Sequence, residues 1–430
     1  MSSSSGSDSG SDSGDEATFG RLLNIAAADL VALGSRIREL LSKTKTSNGS
    51  LSETFSGSFN LVHILQLDEA KMVIRIPTTG QFGDLPGPAK EALESQVHTL
   101  KYIKEHTGIP VPEVFHFDTT ANNEIGAPYI AMSYISGRTV SRLWFDASGP
   151  TPLEERRQTI LKQLAQTMSQ LNKLRFDKIG SLVPSSQGSD YELGPCYEWD
   201  EAEDESISIT SSGPFLTTKS FLEKFWAPTN EQSEYAVGAA KVLEEMLPFL
   251  PQSTESTYVL ALPDFDSQNI MADDQGNITG LIDWDNVQTV PGFMGCLRYP
   301  GWITRDWDPL MYAWPQDNEN SPDELQKYRA YYLQEIKQAL EPQGSEDYRL
   351  TEKSHIYEAF WIAVANVGNR TSICQKFVDE AKRMVDEEEM PDGLDQDALN
   401  VLFDIAEEEL EDEDWESLRK GLEALMTSEQ

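Results

Sequence analysis

Apolar residues fall in short strand-like runs along the first part of the chain and near its middle, and take up helical spacing toward the carboxy terminus. Leu61–Leu67 and Met72–Ile76 read as a hairpin joined at Asp68-Glu69-Ala70-Lys71, and Gly126–Gly137 reads as a strand that enters a glycine-ended crossover. Asn269-Ile270-Met271-Ala272 and Ile278–Ile282 form a further predicted hairpin, with Asp273-Asp274-Gln275-Gly276-Asn277 as its turn. Helical periodicity covers Thr18–Leu41, Pro88–Lys104, Leu153–Leu174, Ser220–Leu250, Asp323–Leu340 and His355–Val385. An antiparallel sheet followed by a mainly helical part is therefore expected, which is an α+β fold.

The middle hairpin carries the candidate chemistry. Asn269 and Asp283 are equally distant in sequence from Gly276, so their side chains are expected at the same end of the hairpin. Residues paired across an antiparallel ladder lie ~5 Å apart, close enough for both oxygens to reach one hard cation. Magnesium suits such a site, because it takes one or two protein oxygens and completes its octahedron with water and phosphate. Asp264, just upstream, would then face a substrate hydroxyl. Taken singly, each acid has an ordinary use: Asp264 and Asp266 as turn residues after Pro263, Asp283 and Asp285 as loop caps. Only the joint spacing argues for chemistry.

This stretch resembles the catalytic core of the aminoglycoside phosphotransferase and choline kinase superfamily, in particular its fungal members. Leu297-Arg298-Tyr299-Pro300-Gly301-Trp302, Arg305–Pro309 and Arg175–Leu182 are similar to phrases of the same group. The resemblance covers roughly Phe55 to Pro309. It implies a bilobal protein-kinase-like fold with a small antiparallel-sheet N-lobe and a larger, mainly helical C-lobe. It also implies ATP and Mg2+ as cofactors, Asp264 as the catalytic proton acceptor or orienting group, and Asn269 and Asp283 as metal ligands. Relatives usually begin this loop His-x-Asp, and the histidine braces the loop by hydrogen bonds. Leu262 stands in its place here and has none to offer.

The same template places Gly57, Ser58 and Phe59 in a shortened glycine loop over nucleotide phosphates, and Arg75 where protein kinases carry a phosphate-binding lysine. A guanidinium fork can bind phosphate oxygens in that position; the ordinary alternative is a strand arginine that reaches solvent. The helical stripe Leu93, Val97, Leu100 and Ile103 turns Gln96 inward, at the position where the resemblance expects a glutamate to hold the cation. Met132 and Tyr134 are expected near adenine, on the hinge 132–137. No Asp-Phe-Gly or Ala-Pro-Glu segment marks an activation loop, which favours the small-molecule branch over protein kinases.

Composition completes the expectations. The domain plan is a Ser/Gly/Asp-rich disordered tail over 1–16, a helix within 17–46, an N-lobe over 47–131, the hinge, and a C-lobe over 138–385 with an acidic loop insertion at 186–212. An acidic helical tail follows over 386–430; its stretch Asp386–Glu416 holds 16 acids and no Lys or Arg. A formal net charge of -38 across 430 residues repels nucleic acid and anionic membranes and attracts cations. Three widely spaced cysteines suit a reducing, cytoplasmic setting. The expected function is ATP- and Mg2+-dependent phosphoryl transfer to a hydroxyl of a small, preferably cationic, metabolite. A catalytically weakened protein that binds nucleotide, or binds partners through its acidic tails, is the alternative, motivated by Leu262 and Gln96.

Overall fold

Side chains alternate across a strand, and β3 (Ala70–Pro77), the middle strand of a five-stranded sheet, uses the alternation to serve two cores. In the computed structural model of the chain, which describes residues 11–43, 45–185, 191–201, 207–251, 258–316, 318–385 and 391–427, it lies among β1 (Gly49–Ser56), β2 (Asn60–Leu67), β4 (Val114–Asp118) and β5 (Tyr129–Ser133). The antiparallel order is β1-β2-β3-β5-β4. Met72, Ile74 and Ile76 join Leu30, Leu33 and Ile37 of helix α2 (Ala27–Ser42), which follows α1 (Ser11–Phe19). On the other face, Val73 packs with Leu93 and Val97 of helix α3 (Gly87–His106). Full burial of each such aliphatic side chain contributes about 1.5–3 kcal/mol. Arg75 shares the α3 face with Val73, and its placement follows from that register.

The chain divides into two compact units. One comprises Met1–Gly137, Gly180–Pro214 and Thr279–Gln288; the other Arg138–Ile179, Phe215–Ile278 and Thr289–Gln430. The first holds the sheet. The second is mainly helical: helix Leu153–Met168 packs on Pro322–Leu340, whose start is fixed by a reciprocal capping box between Ser321 and Glu324. The two long stretches of helical spacing are each broken. Ser220–Leu250 becomes Thr218–Phe225 and Glu234–Met246, and His355–Val385 breaks at Asn366, which accepts the Gly368 N–H and so starts a new helix.

Three compositional readings are corrected. Residues 1–10 of the expected tail lie outside the described residues, but the rest joins α1, which leads to the buried Phe19. Within the expected acidic loop, residues 186–190 and 202–206 lie outside the described residues; Cys196–Glu201 and Ile207–Ser212 pair as an antiparallel hairpin. Alternating Ile207 and Ile209 give it an apolar side despite the acids. Of the expected carboxy-terminal tail, residues 386–390 and 428–430 lie outside the described residues, and the rest is part of a core: Val401, Leu402 and Ile405 of helix Ala398–Glu407 are buried, and this helix packs on Glu234–Met246. Leu418, Leu422 and Leu425 of Asp412–Met426 are buried too. Most acids take the outer faces; Asp414 is buried and accepts the Gly393 and Glu411 N–H groups. Among the described residues no single helix is long and apolar enough to cross a membrane, and Cys196, Cys296 and Cys374 are free and buried.

Candidate active site

In the sheet-bearing unit, Arg75 is held by two aspartates that arrive from a turn rather than from α3. Its Nη1 pairs with Asp285 Oδ1, and its Nη2 donates to Asp285 Oδ2 at 2.8 Å and to Asp283 Oδ1 at 2.6 Å. Gln96 Nε2 donates to Asp285 Oδ1 at 2.6 Å, and Asn60 Nδ2 to Asp285 Oδ2 at 2.8 Å. The Arg75 and Asp285 side chains are 13% and 16% exposed, against 41% for Asp283. Burial works against the Arg75 charge, but Asp285 and Asp283 more than offset it and leave the guanidinium above its ordinary value. Burial, reinforced by Asp283, pushes the Asp285 carboxyl up against the pull of Arg75. A pair so withdrawn from water persists because each Asp285 oxygen accepts two donors.

The Asp-Trp-Asp sequence explains the double grip. Trp284 is buried, with its indole N–H donated to Leu281 O at 3.0 Å, so the aspartates on either side both turn to Arg75. Asp283 takes a left-handed φ of 62° to do so. The expectation for Gln96 is thus corrected: the carboxylate partner of Arg75 is Asp285, and Gln96 supports that acid. A glutamate at 96 would set a second negative charge against it. Asp285, read from sequence as a loop cap, is the residue that was missed; its spacing of two from Asp283 was the available signal.

The glycine turn is tied to the same cluster. Gly57 N–H donates to Asn60 O at 2.9 Å, Gly57 and Ser58 are exposed, and Phe59 stacks on Trp199 of the Cys196–Glu201 strand with ring centroids 4.4 Å apart and planes 5° off parallel. A cavity of about 30 Å³, room for water alone, is left among Arg75, Gln96, Trp199 and Asp285. Met132 lies in β5 opposite Val73, buried in the α3-side core, while Tyr134 follows β5 with the Lys71 ammonium 4.7 Å above its ring.

In the helical unit, Asp264 is exposed between the buried Leu262 and Phe265. Its Oδ2 accepts Nδ2 of Asn269 and Nε2 of Gln268, both at 2.8 Å, and its backbone oxygen accepts Asn269 Nδ2 at 3.0 Å. With that nitrogen committed, Asn269 Oδ1 is the atom suited to a cation. Asp266 is structural: it caps the 3-10 turn Ser267–Asn269 and pairs with Arg305 at 3.4 Å. Asp264 borders a pocket of about 380 Å³ lined also by Phe265, Arg298, Trp307, Met311 and Glu358.

The strands beyond it are shorter than expected, Ile270–Ala272 and Ile278–Leu281, so neither Asn269 nor Asp283 belongs to them. Between them Asp273 N–H donates to Asn277 O at 2.9 Å, and Gly276 has φ 90° with space for no Cβ, which would meet Arg156 O at 2.7 Å. The turn itself is therefore where the sequence put it. Asn269 belongs to the helical unit and Asp283 to the sheet-bearing one. Each unit thus offers a hard oxygen donor of the kind magnesium takes, an amide oxygen in one and a carboxylate in the other. Among the described residues no group of three or more His, Cys, Asp or Glu forms a metal cage.

Comparison with known proteins gives the family of the chain. The profile of the phosphotransferase enzyme family matches residues 56–291, more than half of the chain. A subtelomeric hrmA-associated cluster protein of Aspergillus fumigatus is 25% identical over 316 residues, 58% of this chain and 60% of that protein, so the chain spans well under two thirds of this relative. Clavilactone A biosynthesis cluster protein Y of Ampulloclitocybe clavipes is 23% identical over 295 residues, 64% of this chain and 70% of that protein. Among solved structures, aminoglycoside phosphotransferase APH(4)-Ia aligns over 88% of this chain and 99% of its own with 15% identity and a TM-score of 0.44. On the family match, the chain belongs to the APH phosphotransferase enzyme family.

Proposed function

We propose that the protein transfers the γ-phosphoryl group of ATP, with Mg2+, to a hydroxyl of a small metabolite. The observation that carries this reading is Asp264: an exposed carboxylate, oriented by Asn269 and Gln268, beside a pocket of about 380 Å³. There it would align the acceptor hydroxyl and take its proton as the new P–O bond forms. Asn269 Oδ1 in the helical unit and the Asp283 carboxylate in the sheet-bearing unit are the oxygen donors that would hold Mg2+, which would neutralise charge on the phosphates. Arg75, positioned by Asp285, is the cation nearest the expected phosphates, and the Gly57-Ser58 turn is the element that would lie over them. Positioning and charge account for such a reaction without a covalent protein intermediate. Four carboxylates in the pocket lining (Asp264, Asp266, Asp308, Glu358) against two guanidiniums (Arg298, Arg305) favour a cationic acceptor.

The buried Leu262 favours a second reading, in which nucleotide binds without turnover. A panel of hydroxylated metabolites, weighted toward amines, assayed for ATP-dependent phosphorylation separates the two. The proposal expects at least one acceptor to be phosphorylated and Asp283→Asn to lower that activity and shift its Mg2+ requirement to higher concentration. Nucleotide binding with no turnover across the panel would favour the second reading.

A further inference from the structure

Four consecutive carbonyl oxygens around Asp264 each have a donor, and the first two share one. Arg298 Nη2 donates to Leu262 O at 2.8 Å and to Pro263 O at 3.1 Å, while its Nη1 donates to Met294 O at 3.1 Å. Asn269 takes Asp264 O, and Gly301 N–H donates to Phe265 O at 2.8 Å. The Arg298 side chain is 11% exposed, its guanidinium lies 5.5 Å from the Phe265 ring centroid, and its Nε is 3.7 Å from Glu358 Oε1. Glu358 is itself oriented by the Thr304 hydroxyl at 3.0 Å. At Gly301 a Cβ would sit 3.0 Å from Asp266 Oδ2, a tight contact that the Asp266 side chain would have to relieve.

We propose that Arg298 is a positioning residue that fixes the Leu262–Phe265 loop, and so the direction of the Asp264 carboxylate, in place of the histidine absent at 262. The chemistry matches the need. A histidine side chain braces a loop from within it; a guanidinium with several fixed donors braces it from outside by gathering adjacent carbonyls. Leucine at 262 then acts as a buried apolar anchor. Arg298 also lines the pocket beside Asp264, so its effect through the loop belongs in kcat, whereas a direct contact with the acceptor would appear in the KM for the acceptor. This inference rests on the phosphotransfer reading for its kinetic arm only.

The test compares Arg298→Lys and Arg298→Gln with wild type by kinetics and by hydrogen exchange of peptides spanning 262–270 and 298–304. Both variants are expected to lower kcat, Gln by about 30-fold and Lys by less, with the KM for ATP within about threefold; added guanidinium ion is expected to restore part of the Arg298→Gln loss. Exchange at the Asn269 and Gly301 amides should rise at least about tenfold while peptides of helix Leu153–Met168 stay unchanged. Wild-type kcat and wild-type exchange in both variants would overturn the proposal. Exchange needs no turnover: if no acceptor is phosphorylated, local loosening still supports the clamp while the functional reading fails alone. A global rise in exchange in both variants would mean that Arg298 holds the unit's fold rather than the loop, and would overturn it too.

Discussion

Gln96 serves Asp285, to which it donates at 2.6 Å, while both terminal nitrogens of Arg75 are already taken by Asp285 and Asp283. The amide is the right group for this place, because it gives a hydrogen bond where a carboxylate would give repulsion. Gln96→Glu is therefore expected to destabilise the fold by about 1–2 kcal/mol at pH 8. The introduced acid would have a raised folded-state pKa, so the loss should shrink as pH falls and the group protonates. Thermal melts at pH 8 and pH 5 check this; equal or greater stability at pH 8 would show that the helix tolerates the acid.

Asp285→Asn removes the charge that Arg75 faces in a buried setting. Arg75 keeps Asp283, so the expected loss is about 3 kcal/mol, at the low end for breaking a buried pair. Asp283→Asn, at a half-exposed position, should cost under about 1 kcal/mol. Denaturant unfolding of the two variants reads the difference directly, and equal losses would contradict the assignment of Asp285 as the principal partner.

The hairpin of β2 and β3, the inward face of α3 and the position of Arg75 within its strand were legible, because alternation and helical spacing record burial. The turn at Gly276 was legible from its residue types. Asp285 was not, since an aspartate after a tryptophan looks like any loop acid until the burial of Trp284 fixes its direction. Composition misled at the acidic hairpin and the carboxy-terminal helices: net charge reports solvent faces and is silent on the opposite, apolar side. Arg298 was visible only as part of a family phrase, because carbonyl recognition by a distant arginine leaves no local pattern.

The Phe59–Trp199 stack joins the glycine turn to a hairpin inserted far along the chain. Trp199→Ala should cost about 1–3 kcal/mol from lost area and stacking and loosen the turn. Hydrogen exchange of residues 55–60 is expected to rise, with β3 unaffected; unchanged exchange would mean that the Gly57–Asn60 bond alone holds the turn.

His63, 5% exposed on β2 with Nδ1 3.0 Å from the Thr54 hydroxyl, has its pKa lowered by burial to about 4. Below pH 6.5 the unfolded chain takes up a proton that the fold excludes, so stability falls as pH drops from 6.5 toward 4. In His63→Gln that part of the slope disappears. Melting midpoints across this window should fall by a few degrees more in wild type, about 2–4 °C for each kcal/mol, and parallel curves would refute the assignment.

The central claim is that Asp264 acts on the acceptor hydroxyl. Steady-state phosphoryl transfer from ATP with Mg2+ to an acceptor identified by the panel, compared between wild type and Asp264→Asn, tests it most directly. The account predicts a fall in kcat of about 10²–10⁴, the range for losing a positioned proton acceptor, with the KM for ATP within about threefold and an unchanged melting midpoint. An Asp264→Asn protein that turns over within about threefold of wild type would contradict it.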